Sequence, residues 1–266
     1  MRIGIMLMSD RGPDGQPWDW RKQLAVWKTH GLECVDLFHG MLQRVNETVP
    51  NMKRLLGDLG LAPSIYGIPT NLMSPEAADR STSMDTVRRG IDACHELGIE
   101  LLFSHGGQHN NEGEDALRRY VDGLGQAADL CAQSGLQFGI ENAGKMCHTD
   151  SELKRCIDLV NRPNMKVVLD GGNFILAGSD PHRAVTLLAD KVIHVHVKSF
   201  VPDPTRTPRP FRYCPTGQGR PDYRFVRDTL RQAGFDGCLS FEPEGGFDSQ
   251  WEHSLDVLTQ IVSETR

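Results

Sequence analysis

The sequence predicts a single-domain α/β protein, a (β/α)8 or TIM barrel that covers residues 1–266. Apolar, strand-like runs alternate with helix-like segments from end to end, and no low-complexity linker or charge block divides the chain. Eight strand–helix pairs in about 250 residues are what such a barrel requires. A doubly wound sheet is the competing fold, but it would need fewer strands or a second domain.

The predicted elements follow one another in a regular order. The strands lie near residues 2–8, 33–38, 61–67, 99–105, 136–142, 166–170, 191–197 and 237–242. The helices fall between them, at roughly 18–30, 46–59, 77–97, 113–134, 149–161, 180–189, 221–233 and 249–264. Glycines stand just past five of these helices, where a left-handed residue ends a helix, namely Gly31, Gly60, Gly98, Gly135 and Gly234. An apolar strand follows each glycine, and this repeated order supports the boundaries.

One connection breaks the alternation, a Pro- and Arg-rich loop at about 199–220. It contains Pro202, Pro204, Pro208, Pro210 and Pro215, together with Arg206, Arg209, Arg212 and Arg220. Long loops inside compact domains tend to be functional. Two interpretations stay open: a proline-stiffened surface excursion, or a substrate lid or subunit contact.

Composition and charge argue against several classes of protein. Apolar residues make up 39% and charged residues 24%, as in ordinary globular domains. The net charge of −6 disfavours a nucleic-acid binder. No apolar run approaches membrane-spanning length, and the first residues resemble a strand more than a signal peptide. The 7 scattered cysteines favour reduced thiols and a cytoplasmic location.

Four consecutive predicted strands end in an ionisable residue. Their sequences are Phe138-Gly139-Ile140-Glu141, Val167-Val168-Leu169-Asp170, Ile193-His194-Val195-His196 and Leu239-Ser240-Phe241-Glu242. Burying an unpaired charge is costly, whereas parallel barrel strands deliver their last side chains to one rim. Each residue alone could be a helix cap, a salt-bridge partner or a core histidine. Together, two Glu, one Asp and one His form an oxygen-rich site for a hard divalent cation, which indicates a metal-dependent enzyme.

These residues resemble the xylose isomerase-like barrel superfamily, in particular its sugar isomerase/epimerase branch. The matching segments are Gly139-Ile140-Glu141-Asn142, Leu169-Asp170-Gly171-Gly172-Asn173, His194-Val195-His196-Val197-Lys198, and the stretch from Thr216-Gly217-Gln218-Gly219 through Gly234-Phe235-Asp236-Gly237 to Glu242. The resemblance implies that Glu141, Asp170, His196 and Glu242 bind one divalent ion. It favours Mn2+, with Mg2+, Co2+ or Zn2+ as alternatives. It also implies that Glu141 and Glu242 are the catalytic acid/base groups, and that the protein is a homo-oligomer, a dimer or a tetramer.

The chemistry open to such a site starts with proton transfer beside a carbonyl. Loss of that proton gives an enediolate, whose negative charge a chelated divalent ion stabilises. Two carboxylates on opposite sides of the substrate can remove a proton and return one. Return to the same carbon epimerises it, and return to the neighbouring carbon interconverts an aldose and a ketose.

Three further residues are substrate-binding candidates. Lys198 has the same strand parity as His196 and therefore points into the barrel; its alternative role is a salt bridge to Glu242 or Glu244. His105 ends the fourth predicted strand, and Asn173 could hydrogen-bond a substrate hydroxyl. His194 also shares the parity of His196 and is the alternative ligand, although the resemblance favours His196.

The departures from the family pattern narrow the function. Ketose 3-epimerases of the family have His, Glu and Arg where this chain has Asn173, Cys147 and Pro202, which disfavours a free-ketohexose 3-epimerase. The DNA-repair endonuclease branch needs three zinc ions and additional histidines. This chain lacks the histidine that this branch has three residues after the Asp, and His194 stands where it has an Asp, so an endonuclease is disfavoured.

The leading hypothesis is therefore a metal-dependent isomerase or epimerase of carbohydrate metabolism. Its substrate is a small sugar, keto-sugar or cyclitol, and no nucleic acid or membrane is an expected partner. The alternative is a lyase that dehydrates a keto-inositol or eliminates a substituent from a 3-keto-glycoside, because these reactions also begin with loss of a proton beside a carbonyl. A sugar-binding subunit with a vestigial site is a third, non-catalytic interpretation.

Overall fold

A computed structural model describes residues 1–9, 11–12, 15–106, 113–144, 146–244 and 250–264. Within these ranges, eight parallel strands close into a barrel in the order β1-β10-β7-β6-β5-β4-β3-β2. They are β1 (Arg2–Met6), β2 (Cys34–Phe38), β3 (Ala62–Ile68), β4 (Leu101–His105), β5 (Gln137–Glu141), β6 (Met165–Asp170), β7 (Val192–Val197) and β10 (Cys238–Phe241). The (β/α)8 prediction is confirmed, and the largest boundary differences are two residues, at the end of β1 and the start of β4.

The helices surround the barrel and mostly follow the predicted order. They are α1 (Trp20–Thr29), α2 (His39–Arg44), α3 (Val49–Leu59), α4 (Ala77–Leu97), α5 (Glu114–Gln133), α6 (Asp150–Val160), α7 (Gly171–Leu176), α8 (Pro181–Leu188), α9 (Tyr223–Gln232) and α10 (Trp251–Ser263), with a 3-10 turn at Ala189–Lys191. Residue 249, the predicted start of the last helix, lies outside the described residues. As expected, Gly60 and Gly98 are left-handed caps at the ends of α3 and α4.

Two helical segments differ from the prediction. A separate helix, α2, precedes the predicted helix at 46–59, and that predicted helix starts only at Val49 as α3. Thr48 caps α3 by accepting a hydrogen bond from the Asn51 backbone amide, and a proline occupies its first turn, both of which are helix-start signals. The short helix α7 was not predicted; it begins directly after Asp170, whose carboxylate caps it through the Asn173 backbone amide.

The segment at 199–220 is more ordered than the loop expected from sequence. It contains an antiparallel hairpin of β8 (Ser199–Pro202) and β9 (Phe211–Cys214). The backbones of Phe200 and Arg220 exchange two further hydrogen bonds, of 2.9 and 3.0 Å. These bonds join the hairpin to the segment that leads into α9, and the hairpin begins two residues after the carboxyl end of β7.

The apolar core has two parts. The larger part packs the helices against the outer faces of the strands. The smaller part fills the barrel interior with Met6, Ile65, Leu101, Phe103 and Val168. In β4 and β6 this interior part has the same parity as the ionisable strand ends, so the polar side chains lie on top of an apolar floor. Among the described residues, no helix has the length and apolar character needed to cross a membrane.

Candidate metal centre

The four strand-end residues meet at the carboxyl end of the barrel. Glu141 ends β5, Asp170 ends β6, His196 is the penultimate residue of β7, and Glu242 directly follows β10. Strand register sets Asp170 beside His196. One ligand atom from each of the four side chains lies within 4.8 Å of the others, and all four are buried. The structure therefore brings together every residue of the predicted ligand set. These four residues, Glu141, Asp170, His196 and Glu242, are called the ligand cluster.

Glu141 is held between two imidazoles. Its Oε1 lies 2.8 Å from His196 Nδ1, and its Oε2 lies 2.6 Å from His105 Nδ1. Burial by itself raises the pKa of Glu141, but the charges and hydrogen bonds of His196 and His105 hold that pKa well below its ordinary value. Glu141 is consequently an ionised carboxylate inside the barrel.

Asp170 has a different electrostatic environment. Burial, together with repulsion from Glu242 and Glu141, raises the pKa of Asp170 to about 7 even though the Lys198 ammonium opposes the shift. Burial and the negative charges of Glu242 and Glu141 thus both disfavour the ionised form of Asp170, and the second effect is an excess of negative charge around it. A divalent cation would relieve this excess of negative charge.

The unsatisfied atoms of the cluster also fit a bound cation. Asp170 Oδ2 and Glu242 Oε2 are buried and accept no hydrogen bond within the described part of the chain, although Asp170 Oδ2 has an ionic contact of 2.9 Å with Lys198 Nζ. Buried oxygens without donors are unusual in folded proteins. Three carboxylates and one imidazole are a donor set that Mn2+, Mg2+ and similar ions accept, so these residues could hold one divalent ion.

Lys198 lies against the carboxylates. Its Nζ is 2.9 Å from Asp170 Oδ2, 3.1 Å from Glu242 Oε1 and 2.9 Å from Glu244 Oε1. The alternative salt-bridge role considered for this lysine is therefore present in the structure. Burial lowers the pKa of the Lys198 ammonium, but Asp170 and Glu242 outweigh that effect and raise it well above its ordinary value.

The backbone of Lys198 is fixed from two sides. The Tyr223 hydroxyl accepts a hydrogen bond from the Lys198 amide at 2.9 Å and donates one to its carbonyl at 2.8 Å. On the other side is Gly172, where a Cβ atom would lie 2.6 Å from Lys198 Cγ and 3.0 Å from its carbonyl oxygen. Gly172 thus leaves the space that Lys198 occupies.

The other two substrate-binding candidates border the cluster. His105 is paired with Glu141 across β4 and β5, and 21% of its side chain is exposed. Burial lowers the pKa of His105, but Glu141 outweighs it and raises that pKa above its ordinary value. Asn173 is largely buried at the start of α7, where its backbone amide donates to Asp170 Oδ1 at 2.8 Å. Contact of either residue with a substrate stays a prediction.

Sequence reasoning missed Asp36, a fully buried residue of β2. Its Oδ2 lies 2.9 Å from His194 Nε2 and 3.4 Å from His196 Nε2. His194, the alternative ligand, thus points to Asp36, and Asp36, His194 and His196 form a second close group that shares only His196 with the first. A signal was present, because an acid interrupts the apolar run Cys34-Val35-Asp36-Leu37-Phe38, but this acid lies inside the strand and not at its end.

Sequence comparisons place the chain near carbohydrate-processing and related enzymes. The model of a family described as xylose isomerase-like TIM barrel matches residues 24–261. The chain is 23% identical over 250 residues to the L-ribulose-5-phosphate 3-epimerase UlaE of Shigella flexneri, across 86% of this chain and 83% of that protein. It is 24% identical over 229 residues to a 3-dehydroshikimate dehydratase of Pseudomonas aeruginosa, across 83% of this chain but 35% of that longer protein.

Solved structures share the fold. A D-psicose 3-epimerase with D-tagatose from Clostridium cellulolyticum H10 superposes with a TM-score of 0.76 and 16% identity, over 98% of this chain and 99% of that one. A xylose isomerase-like TIM barrel protein from Mycobacterium smegmatis in complex with magnesium has a TM-score of 0.70 and 18% identity, over 98% of each chain. At these identities the similarity shows a common barrel and nothing finer.

Proposed function

The chain belongs to the xylose isomerase-like TIM barrel family, and from this membership we propose that it is a divalent-metal-dependent isomerase or epimerase of a sugar or keto-sugar. The observation that carries the proposal is the buried group of Glu141, Asp170, His196 and Glu242, with ligand atoms within 4.8 Å of one another. Two of its oxygens accept no hydrogen bond within the described chain. The epimerase among the relatives supports the reaction class.

The position of the two glutamates suits a two-carboxylate proton transfer. Strands β5, β6, β7 and β10 are consecutive in the barrel, so Glu141 and Glu242 stand at the two ends of the ligand arc. A substrate bound over Asp170 and His196 would have one glutamate on each side. Glu141, an ionised carboxylate, would remove the proton, and Glu242 in its protonated form would return one from the other side.

A bound divalent ion would polarise the substrate carbonyl and stabilise the negative charge that develops when the neighbouring carbon loses its proton. Lys198 lies between the carboxylates and the hairpin and would donate to a substrate hydroxyl. His105, the partly exposed partner of Glu141, would contact the substrate and hold that carboxylate in place through its 2.6 Å contact with Glu141 Oε2. Asn173, at the start of α7, would offer its amide to a second hydroxyl.

The hairpin formed by β8 and β9 is proposed as a lid or wall of the substrate site. Burial and the Arg209 guanidinium lower the pKa of His148, and Asp170 acts on the same imidazole in the opposite direction. His148 therefore lies within electrostatic range of both the hairpin and the ligand cluster. A cationic hairpin over the site would favour an anionic substrate such as a sugar phosphate.

A dehydratase is the second candidate. The 3-dehydroshikimate dehydratase among the relatives favours it, and elimination of water begins with the same loss of a proton beside a carbonyl. Of the two alternatives derived from sequence, dehydration of a keto-inositol belongs to this candidate, and a 3-keto-glycoside lyase differs in that it eliminates an aglycone in place of water. The two candidates differ in what happens after proton removal: return of the proton conserves the substrate mass, whereas loss of a hydroxyl lowers it.

The test combines ion content with product mass. Purified protein would be stripped with a chelator, reloaded with Mn2+, Mg2+, Co2+ or Zn2+, and assayed on matched free and phosphorylated ketoses, with L-ribulose and L-ribulose 5-phosphate as the first pair. About one ion per chain and an isomeric product would support the proposal. An ion-dependent product lighter by one water would favour the dehydratase, and equal activity with and without ions would contradict both.

A further inference from the structure

Asp36 is a buried carboxylate that does not belong to the proposed ligand set. It lies in β2 with no measurable exposure. Its Oδ1 accepts a hydrogen bond from the Ser64 hydroxyl, and its Oδ2 faces the two imidazoles of β7. A buried ionised aspartate persists only where such donors compensate it.

The two nitrogens of His196 face different partners. Nδ1 points to the ligand cluster, 2.8 Å from Glu141 Oε1 and 3.5 Å from Glu242 Oε2. Nε2 points the other way, 3.4 Å from Asp36 Oδ2, and has no closer hydrogen-bond acceptor in the described residues. The ring is also held by Phe103, whose centroid lies 5.5 Å away in an edge arrangement. Rotation of the ring would exchange these two environments.

We propose that Asp36 is a positioning residue that keeps the proton of His196 on Nε2 and thereby leaves the Nδ1 lone pair for the divalent ion. His194 and Ser64 hold the Asp36 carboxylate in the orientation that this requires. The proposal rests on the proposed metal site, and it assigns to the second group of close residues a supporting role and no ion of its own.

The physical reason is the tautomer of a metal-binding imidazole. A neutral histidine that binds an ion through one nitrogen carries its proton on the other, and a carboxylate acceptor there fixes the ring and increases the basicity of the ligand nitrogen. Asp36 is the carboxylate at that position. Its 3.4 Å separation from Nε2 is long for a hydrogen bond, and binding of an ion at Nδ1 would favour the shorter contact because it settles the proton on Nε2.

The first arm of the test measures ion affinity. Asp36→Asn keeps the shape of the side chain but weakens the acceptor, and we expect Mn2+ and Zn2+ to bind about 10- to 100-fold more weakly by calorimetry. The matched control is Asp150→Asn. Asp150 is also a buried aspartate with charge-assisted bonds, to Arg183 at 2.7 and 2.8 Å, but it has no contact with the ligand cluster among its described bonds. Its replacement should leave ion affinity unchanged.

The second arm uses the unaltered protein and does not depend on the folding of a variant. Nitrogen-15 spectra of the histidines in the Zn2+-loaded protein should show His196 bound through Nδ1 and protonated at Nε2. Binding through Nε2 would overturn the proposal, as would Asp36→Asn with wild-type affinity or equal losses in the Asp36 and Asp150 variants. If the wild-type protein bound no ion at all, the proposed function itself would fail, which separates the two claims.

Discussion

Charged side chains in the barrel interior determine one another's protonation. Glu141 is kept ionised by His196 and His105, and the same carboxylate raises the pKa of both histidines against the opposite effect of burial. Asp170 has no histidine within hydrogen-bonding distance among the described residues, and its pKa is raised by burial and by neighbouring carboxylates. Substitution of any one of these residues should therefore also change the protonation of its neighbours.

Replacement of either proposed acid/base group should abolish most of the turnover. For Glu141→Gln and Glu242→Gln we expect kcat to fall by about 10²- to 10⁴-fold, because an amide can neither accept nor return the substrate proton. The circular dichroism spectrum should be unchanged. Glu33→Gln is the control, since Glu33 accepts a backbone hydrogen bond from Ile3 in β1, away from the ligand cluster. A fully active Glu242→Gln enzyme would refute its acid/base role.

Loss of the Lys198 ammonium should destabilise the ion-free protein. Lys198→Met leaves Asp170 and Glu242 buried without their cation, and breaking a buried ion pair costs about 3–5 kcal/mol. Saturating Mn2+ should recover part of this loss, because the ion supplies the missing positive charge. Chemical unfolding without Mn2+ measures the loss of stability, and unfolding with Mn2+ measures its recovery. Lys154→Met, which removes a partly exposed pair with Asp158, should have little effect; equal destabilisation by both variants would argue against the account.

The affinity of the proposed site for its divalent ion should increase as the pH rises from 6 to 8. Asp170, whose pKa is raised to about 7, and His196, whose pKa is raised well above its ordinary value, must both lose their protons before they bind an ion. Binding therefore releases protons at and below neutral pH, and falling pH should weaken it. Calorimetry at pH 6 and pH 8 in buffers of different ionisation enthalpy measures this release. An affinity independent of pH would show that these groups do not bind the ion.

At the scale of elements, α7 ties the ligand cluster to the hairpin. It begins at Gly171, directly after the ligand Asp170, and its second residue packs on Lys198 and Phe200. The first turn of this short helix thus contacts both Asp170, a proposed ligand, and the hairpin that is proposed as a lid or wall of the substrate site.

A side chain at Gly172 should disrupt that arrangement. In Gly172→Ala the new Cβ would lie 2.6 Å from Lys198 Cγ and 2.9 Å from Phe200 Cε2, so both must shift. We expect lower stability and a several-fold loss of kcat. Gly57→Ala is the matched control, because Gly57 is a helical glycine of α3 with no atom within 4 Å of a built Cβ; there alanine should stabilise by roughly 0.5–1 kcal/mol. Thermal unfolding and kcat should be measured for both variants. A Gly172→Ala protein with wild-type stability and kcat would contradict the predicted steric conflict with Lys198 and Phe200.

The regular part of the fold was predictable because its signals are local. Each barrel strand is a short apolar run, and glycines such as Gly60 and Gly98 mark the helix ends before the next strand. The hairpin was missed because its prolines obscure strand periodicity, although Phe211-Arg212-Tyr213-Cys214 alternates in character. Helix α7 was missed because Gly171 and Gly172 are poor helix formers; in the structure Gly171 leaves room for Pro221 and Gly172 leaves room for Lys198.

The ligand set was predictable for a different reason. In a parallel barrel the strand ends share one rim, so four terminal ionisable residues must come together once the fold is known. Asp36 lies in the middle of an apolar strand, and sequence could not show that its neighbour across the barrel would be a histidine pair. Such supporting contacts depend on strand register and barrel closure, which single runs of sequence do not specify.

At the scale of the whole molecule, the closed barrel holds the four proposed ligand residues together at the carboxyl ends of its strands. The apolar side chains of the barrel interior lie below the ligand cluster, and the hairpin joins it through Phe200, which borders Gly172 two residues after Asp170. This arrangement suits a reaction in which one carboxylate removes a proton from a substrate carbon and a second carboxylate returns a proton that can come from solvent. The expected dimer or tetramer stays a prediction, which light scattering would test.

The most direct measurement of the central claim is deuterium incorporation. The Mn2+-loaded protein would be incubated in D2O with L-ribulose 5-phosphate and a panel of other keto-sugars, and the carbon-bound protons followed by NMR. We expect ion-dependent loss of one carbon-bound proton signal beside the carbonyl of a substrate, with deuterium in an isomeric product. No ion-dependent exchange at any such carbon across the panel would contradict a metal-assisted proton transfer at this site.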